Sequence, residues 1–458
     1  MSQSQTKSTS LTEGSIPKKI IGFALPLFLG NLFQQMYNMA DSLIVGNFLG
    51  DTALASVTST GSLVFLLVGF FSGTAMGAGV IIARLFGAKD YDNLRKAVHT
   101  DIAFGLAAGV LMTIIGVIFT PMILQLMGTP AEVMPNSILY LRVYFCGSLG
   151  VIMYNICMGI LQAVGDSKRP LYYLIFSSCV NIVLDLIFCG IFGLGVEFAA
   201  LATVISQFVS VALCLRRLMR TQDVYQVHLR EVRFHPYILR QILSIGLPSG
   251  LQNSIISLAN IVVQSNINAF GELAMAGCGS YSKIEGFGFL PITCFSMAIT
   301  TFVGQNLGAK RYDRVKKGVI FGIGCALIMA ETIGICINIF APKLISLFGG
   351  GADSIAYGVL QARTVTLFYF LLAFSHTAAA VMRGAGRSTV PMFVMLISWC
   401  GIRITYVTIM GRLFDNIRLI FIAYPITWTI SSVIFLIFLF KGNWMHYLEQ
   451  KEAKLQKV

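Results

Sequence analysis

Two short patterns place cation-binding groups inside stretches that are otherwise apolar. "FQQMYNMADSLIVG" carries Gln34, Tyr37 and Asp41 at i, i+3 and i+7, with Asn38 and Met39 between them; on a helix the first three share one face. "SSCVNIVLDLIF" carries Asn181 and Asp185 at i and i+4, again one face. Tyr140 and Thr203 lie at similar distances from the ends of their own apolar segments. Two carboxylates, an amide and a hydroxyl form an all-oxygen set, suited to a hard cation such as Na+. The same set suits a proton, which adjoining carboxylates can share, and composition does not choose between the two. An ionisable residue in a membrane helix is costly, so each marks function unless it only hydrogen-bonds the bundle together.

Later in the chain, Lys283, Glu285, Glu331, Arg363, His376 and Arg403 also fall within apolar stretches. Glu285 with Arg363 reads either as a structural ion pair or as a site for a cationic drug. With Tyr37 and Met39 these two are the candidates for substrate contact.

The elements that carry these residues follow from composition. At 458 residues, 56% hydrophobic, 12% charged and mean hydropathy +0.77, the chain is too apolar for a soluble protein. A bilayer core takes about 20 residues of helix. Breaks at Gly, Pro and charged clusters predict twelve spans at 18–46, 54–84, 95–119, 132–160, 169–192, 197–219, 237–269, 273–306, 315–340, 354–382, 390–411 and 417–440. The expected fold is an all-α polytopic membrane protein of twelve helices in two pseudo-symmetric six-helix lobes. Its parts are a tail at 1–17, an N-lobe at 18–219, a linker at 220–236, a C-lobe at 237–440 and a tail at 441–458. The polar start of the chain has no apolar signal core and reads as a cytoplasmic tail, with no soluble domain expected beside the spans. Counting along this topology puts Asp41, Asp185, Tyr140 and Thr203 near one level, roughly 10 Å below the outer surface.

Of 33 lysines and arginines, 26 fall on the side of the N-terminus, three opposite and four within spans. This asymmetry predicts cytoplasmic termini and explains the net charge of +13 by membrane insertion, so no nucleic-acid partner is expected. The basic linker reads as solvated, with a surface helix on anionic headgroups as the alternative. None of the ten cysteines forms a C-x-x-C, and most lie in apolar runs as small packing residues.

The chain also repeats itself. At an offset of 221 residues Gly87-Ala88-Lys89 meets Gly308-Ala309-Lys310, and Phe119, Pro121, Gly128, Arg142, Gly165 and Pro170 meet their own kind. One further residue of offset aligns Leu25-Pro26 and Asn31 with Leu247-Pro248 and Asn253. Parallel repeats of six spans suggest a transporter with substrate between the halves. The acids differ between repeats: Asp41 meets Val263, Asp185 meets Tyr406, and Glu285 meets Val64. A duplicated fold needs no acid at such positions, which leaves them for function.

The stretch "ALPLFLGNLFQQMYNMADSLIVGNFLGDTALASV" and the loops "GAKDYDNLRKAV", "GAKRYDRVKKGV", "QAVGDSKRP" and "RGAGRSTVP" resemble the multidrug and toxic compound extrusion (MATE) family over essentially the whole chain. The resemblance is greatest to its prokaryotic DinF-type branch. It implies a cation-coupling site at Asp41, Asn181, Asp185 and Thr203, with Gln34, Tyr37, Asn38 and Tyr140 near it. It further implies export of organic cations or amphipathic drugs in exchange for Na+ or H+, by a monomer in the cytoplasmic membrane. In the NorM-type branch the main acids lie in the C-lobe; here Arg363 occupies the tenth span and the seventh has no acid, which favours coupling in the N-lobe.

The nearest alternative is a flippase for lipid-linked oligosaccharide from the same superfamily, for which Arg142, Arg363 and Arg403 would serve. A channel filter is not evident, and four of the five histidines lie at cytoplasmic ends or loops without an H-E-x-x-H, so neither channel nor enzyme is expected. No organic cofactor is expected; the lipid bilayer and small-molecule drugs are the expected partners.

Overall fold

The structure, a computed structural model, describes residues 10–126, 129, 131–349 and 351–447, and for 51, 52, 54, 55, 58–67 and 126 the backbone alone. Gly128, the side chain of Val64 and tail residues 1–9 and 448–458 lie outside the described set. Among the described residues the elements are helical. They are α1 (Ile16–Leu49), α2 (Asp51–Ala88), α3 (Tyr91–Leu126), α4 (Met134–Cys146), α5 (Ser148–Ala163), α6 (Lys168–Asp185), α7 (Val196–Arg220) and α8 (Pro236–Asn268). There follow α9 (Glu272–Gly308), α10 (Tyr312–Ser346), α11 (Ala352–Val365), α12 (Tyr369–Gly384), α13 (Thr389–Met395), α14 (Arg403–Leu413) and α15 (Ile417–Lys441). Short π segments continue α6 over Leu186–Ile191 and join α13 to α14 over Leu396–Ile402.

Among the described residues eleven helical segments are long and apolar enough to cross a membrane, and α4 with α5 makes a twelfth when counted as one span bent by 46°. The fourth span is therefore a bent pair rather than one straight helix. Its bend falls at Gly147, and the repeat equivalent of that residue, Phe368, ends the 3-10 turn Thr366–Phe368 between α11 and α12. The duplication is thus written in the backbone. The paired loops carry the same left-handed residue, Lys89 at φ 59° and Lys310 at φ 55°, and Gly50 and Gly271 match at 82° and 96°. The π segments follow no such pairing and belong to one repeat each.

Two compact units divide the chain, one holding Leu29–Gly250 and the other Leu11–Phe28 with the residues from Leu251 onward. The division falls inside α1 and α8, two residues beyond Pro26 and Pro248. Proline lacks the N–H that would bond one turn back and crowds that carbonyl, so each helix is weakest near that point. In the first unit α2 and the start of α8 touch backbone to backbone: a Cβ on Gly77 would lie 2.4 Å from the nitrogen of Gly246, and one on Gly73 would lie 2.6 Å from that of Gly250. In the second unit Ile20, Phe23, Ala24 and Leu27 bury against Cys294, Phe295, Ala298 and Phe302.

The linker 220–236 is not the solvated segment expected from its charge. Tyr225 and Val227 are 4% and 2% exposed. The His228 N–H donates to His99 Nε2 at 2.9 Å, the His235 N–H donates to Thr100 Oγ1 at 3.3 Å, and Arg95 pairs with Glu231. Apolar residues hidden among the basic ones, with α3 side chains positioned to receive backbone N–H groups, dock this segment onto the first unit. Burial and Asp223, whose carboxylate accepts from its hydroxyl at 3.0 Å, push the Tyr225 phenol up to about 12.

Candidate functional site

α1 and α6 run side by side in the first unit. The Cβ position of Gly30 meets Leu171 and Leu174 at 3.6 Å, and that of Gly190, in the π segment, meets the ring of Phe48 at 3.4 Å. Between these contacts the same register brings Asp41 opposite the stretch around residue 183, and the carboxyl groups of Asp41 and Asp185 adjoin. A π turn adds a residue to the helical repeat and re-aims the side chains around it, and such turns recur at functional sites. Here it begins at the residue after Asp185.

α7 supplies the next wall. Asn181 Nδ2 donates to Thr203 Oγ1 at 3.5 Å, and Thr203 donates to the carbonyl of Ala199 at 3.3 Å. The bend at Gly147 sets α4 against α7, because a Cβ there would lie 2.2 Å from Val204. Tyr140, on α4, comes within electrostatic reach of Asp41, Asp185 and Tyr37, and its ring stacks on Tyr144 at 6.4 Å. Tyr37 lies in hydrogen-bonding range of Gln34. Four helices therefore bring together Gln34, Tyr37, Asp41, Tyr140, Asn181, Asp185 and Thr203. Asn38 and Met39 are exposed, and Asn38 enters the local bonding through its carbonyl, which accepts from Ser42 Oγ at 3.0 Å.

Asp185 and Asn181 are 0% and 1% exposed. Asp41 Oδ1, Asn181 Oδ1 and both carboxylate oxygens of Asp185 are buried without a hydrogen-bond partner among the described residues. Buried polar atoms are nearly always partnered. Four acceptor oxygens with no matching donor form a set that a bound cation or a shared proton would complete. Among the described residues no group of three or more His, Cys, Asp or Glu is placed to hold a metal ion. Two carboxylates with neutral oxygens instead suit a single positive charge.

The second unit places its ionisable residues differently. Glu285 receives a hydrogen bond from the Tyr281 hydroxyl at 3.5 Å, and Tyr281 and Tyr369 share another at 2.9 Å. Arg363 is exposed, and no ion pair joins it to Glu285 among the described residues. Arg403, 1% exposed, is held between the rings of Trp399 and Tyr424 at 4.8 and 4.6 Å and donates to Thr427 Oγ1 at 2.8 Å. Spacing offered one half of this clamp, Trp399 at i−4 to Arg403; Tyr424 and Thr427 come from α15 and carried no such signal. Glu331 gains a structural account: its Oε2 accepts the Phe370 N–H at 3.1 Å, just after the 3-10 turn that leaves such groups without a helical partner.

Comparison with known proteins agrees with this architecture. The MatE family model matches residues 26–187 and again 248–409, one match in each repeat. The chain is 29% identical over 443 residues to the probable multidrug resistance protein YoeA of Bacillus subtilis (strain 168), covering 94% of this chain and 95% of that one. It is 27% identical over 383 residues to the multidrug export protein MepA of Staphylococcus aureus (strain MSSA476), covering 82% and 84%. Among solved structures, a MOP superfamily transporter from Pyrococcus furiosus superposes with a TM-score of 0.90 at 26% identity, covering 96% of this chain and 98% of that one. An outward-facing multidrug resistance MATE transporter of the same superfamily gives 0.89 at 25% identity, covering 96% and 98%. With both repeats matched and the multi-helix membrane fold shared end to end, the chain belongs to the MatE family, the multidrug and toxic compound extrusion transporters.

Proposed function

We propose that the chain is a secondary active antiporter that exports organic cations and amphipathic drugs in exchange for Na+ or H+. The observation that carries this reading is the carboxylate pair Asp41 and Asp185 beside Asn181 and Thr203: Asp41 Oδ1, Asn181 Oδ1 and both Asp185 oxygens are buried without a hydrogen-bond partner among the described residues. The repeat supports it, because Val263 and Tyr406 occupy the equivalent positions without charge. The relatives named as multidrug resistance and export proteins support the substrate class.

In this reading the coupling ion, a transported substrate rather than a resident metal, binds at Asp41, Asn181, Asp185 and Thr203, with Gln34, Tyr37 and Tyr140 beside it. Ion binding favours one access state over the other by its differential affinity for the two. Drug release to the outside then follows by alternating access of the repeats. Tyr37 and Met39 in the first unit, and Glu285 and Arg363 in the second, are the candidates for substrate contact; an acid suits a cation, and aromatic and sulfur-bearing side chains suit an aromatic one. The protein acts as a monomer in the cytoplasmic membrane with both termini inside, as the distribution of its basic residues supports.

Of the arginines that would serve a pyrophosphate-bearing lipid, Arg403 is engaged by Trp399, Tyr424 and Thr427. This favours drug export over lipid flipping. Proteoliposomes holding the purified chain test the choice. A fluorescent organic cation should accumulate under an imposed Na+ or proton gradient, while a lipid-linked oligosaccharide should stay in its leaflet; the reverse pattern would overturn the reading.

A further inference from the structure

A second buried carboxylate in the first unit plays no part in the cation cluster. Asp101, on α3, is 1% exposed, its Oδ1 has no hydrogen-bond partner, and it makes no ion pair among the described residues. Its surroundings follow from helix register. α3 and α5 run in opposite directions, with Gly109 against Leu149 and Gly105 against Met153 and Ile156. One turn further toward the cytoplasm, the same face of α3 carries Asp101 to Cys157. α5 and α7 run in the same direction, with Gly147 against Val204 and Gly150 against Phe208, which brings Cys157 level with Cys214. Cys157 interacts electrostatically with both Asp101 and Cys214.

The space between this acid and the cation cluster is bridged by polar groups. Thr203, Gln207, Ser210 and Cys214 stand at i, i+4, i+7 and i+11, one face of α7. That stripe spans roughly 16 Å at the helical rise. Gln207 Oε1 and Ser210 Oγ on it, Ser178 Oγ on α6 and the Tyr154 hydroxyl on α5 are buried without partners among the described residues. Below Asp101 its own helix continues to Thr100, whose Oγ1 contacts His235 Nδ1 at 3.1 Å, and to His99 beneath the docked linker. Of the titratable groups on the packed elements, Cys157 of α5 interacts with Asp101; Cys214 of α7 adjoins Cys157 and Asp166; His99, two residues before Asp101, contacts the Arg95 carbonyl and the His228 N–H; Arg84 is the ionisable side chain described on α2.

We propose that Asp101 is the inner station of a proton path through the first unit, joining the Asp41–Asp185 cluster to the cytoplasmic face along Tyr154 and the Thr203–Cys214 stripe. The inference rests on the antiport reading and assigns H+ as a coupling ion. A carboxylic acid of the cluster gives up its proton and returns to carboxylate, the Asp101 carboxylate becomes the acid, and the proton then leaves past Thr100 and His99 to water. Each bond to hydrogen that breaks is matched by one that forms on the next oxygen, sulfur or nitrogen of the path, and no electron moves. Asp101 acts as a relay and does not itself touch the drug.

The test is ethidium uptake by proteoliposomes holding the full chain, driven either by a pH gradient without sodium or by a sodium gradient with the pH gradient collapsed. Asp101→Asn should lose pH-driven uptake and its pH dependence, Asp101→Glu should restore both, and ethidium should bind detergent-solubilised Asp101→Asn as tightly as wild type. Gln207→Leu, which keeps the acid but interrupts the stripe, should slow pH-driven uptake even where Asp101→Asn fails to assemble. Wild-type pH-driven uptake in Asp101→Asn or Gln207→Leu, beside an inactive Asp41→Asn, overturns the relay and leaves the antiport reading standing. Wild-type uptake under the sodium gradient with none under the pH gradient has the same meaning. Normal coupled uptake in Asp41→Asn instead overturns the antiport reading on which the relay rests.

Discussion

Thr203 shows how a single hydroxyl serves two purposes in the candidate site. It satisfies its own lone donor on the Ala199 carbonyl and remains an acceptor for Asn181, so its oxygen stays oriented beside the two carboxylates. Thr203→Val keeps the shape and removes the oxygen. We expect it to weaken the apparent affinity for the coupling cation by about 1 kcal/mol, read as a steeper gradient needed for half-maximal uptake, with protein yield unchanged. An unchanged gradient dependence would remove Thr203 from the site. Asp41, Asp185 and Asn181 were legible because ionisable and amide groups stand out against apolar runs. Arg403 was visible as a charge but not as a clamped one: Trp399, four residues before it, was an available signal, but Tyr424 and Thr427 come from α15.

At the scale of elements, irregular helices do the positioning. The π segment after Asp185 and the bend at Gly147 turn two membrane spans so that their polar faces meet α1 and α7. Hydropathy located these spans but not their breaks, because a bend at one glycine barely alters an average over a window of many residues. The register at an offset of 221 was the better guide, since matching positive φ angles recur at Gly50 and Gly271, Lys89 and Lys310, and Gly165 and Gly386. Two substitutions test this layer. Gly77→Ala forces a methyl group onto the Gly246 backbone, 2.4 Å away, where neither helix can yield cheaply. It should lower stability by about 1–3 kcal/mol, seen as a lower melting temperature in detergent. Glu331→Gln keeps an acceptor for the Phe370 N–H and loses only its charge, so it should cost about 1 kcal/mol or less in the same assay and leave transport intact. Loss of transport there would return Glu331 to the list of functional acids.

Across the whole molecule the sequence pattern indicated a membrane protein of about twelve spans, and the linker is where it misled. Seventeen residues rich in charge look solvated, yet Tyr225, Val227, His228 and His235 are held by α3 and α7. The docking should depend on pH. Burial, and secondarily Arg233, hold the His235 imidazole below the ordinary histidine value. A group depressed in this way is neutral in the docked state, so docking is at full strength above the ordinary value and weakens as pH falls through it toward the lower one. Hydrogen bonding from Arg95 holds Glu231 below the usual carboxylate range, so its contribution lasts to lower pH and disappears only as it protonates. Limited proteolysis at Arg230 and Arg233 should therefore be faster at pH 5.5 than at pH 7.5 after correction for protease activity, by analogy with other histidine-gated contacts that respond at about pH 5–6. Equal rates would mean that His235 does not tie the linker down. The central claim concerns the carboxylate pair and is tested most directly by drug uptake into proteoliposomes under imposed ion gradients, comparing wild type with Asp41→Asn and Asp185→Asn. The account predicts gradient-driven uptake in wild type and its loss in both variants at equal protein incorporation; uptake at the wild-type rate in either variant would contradict it.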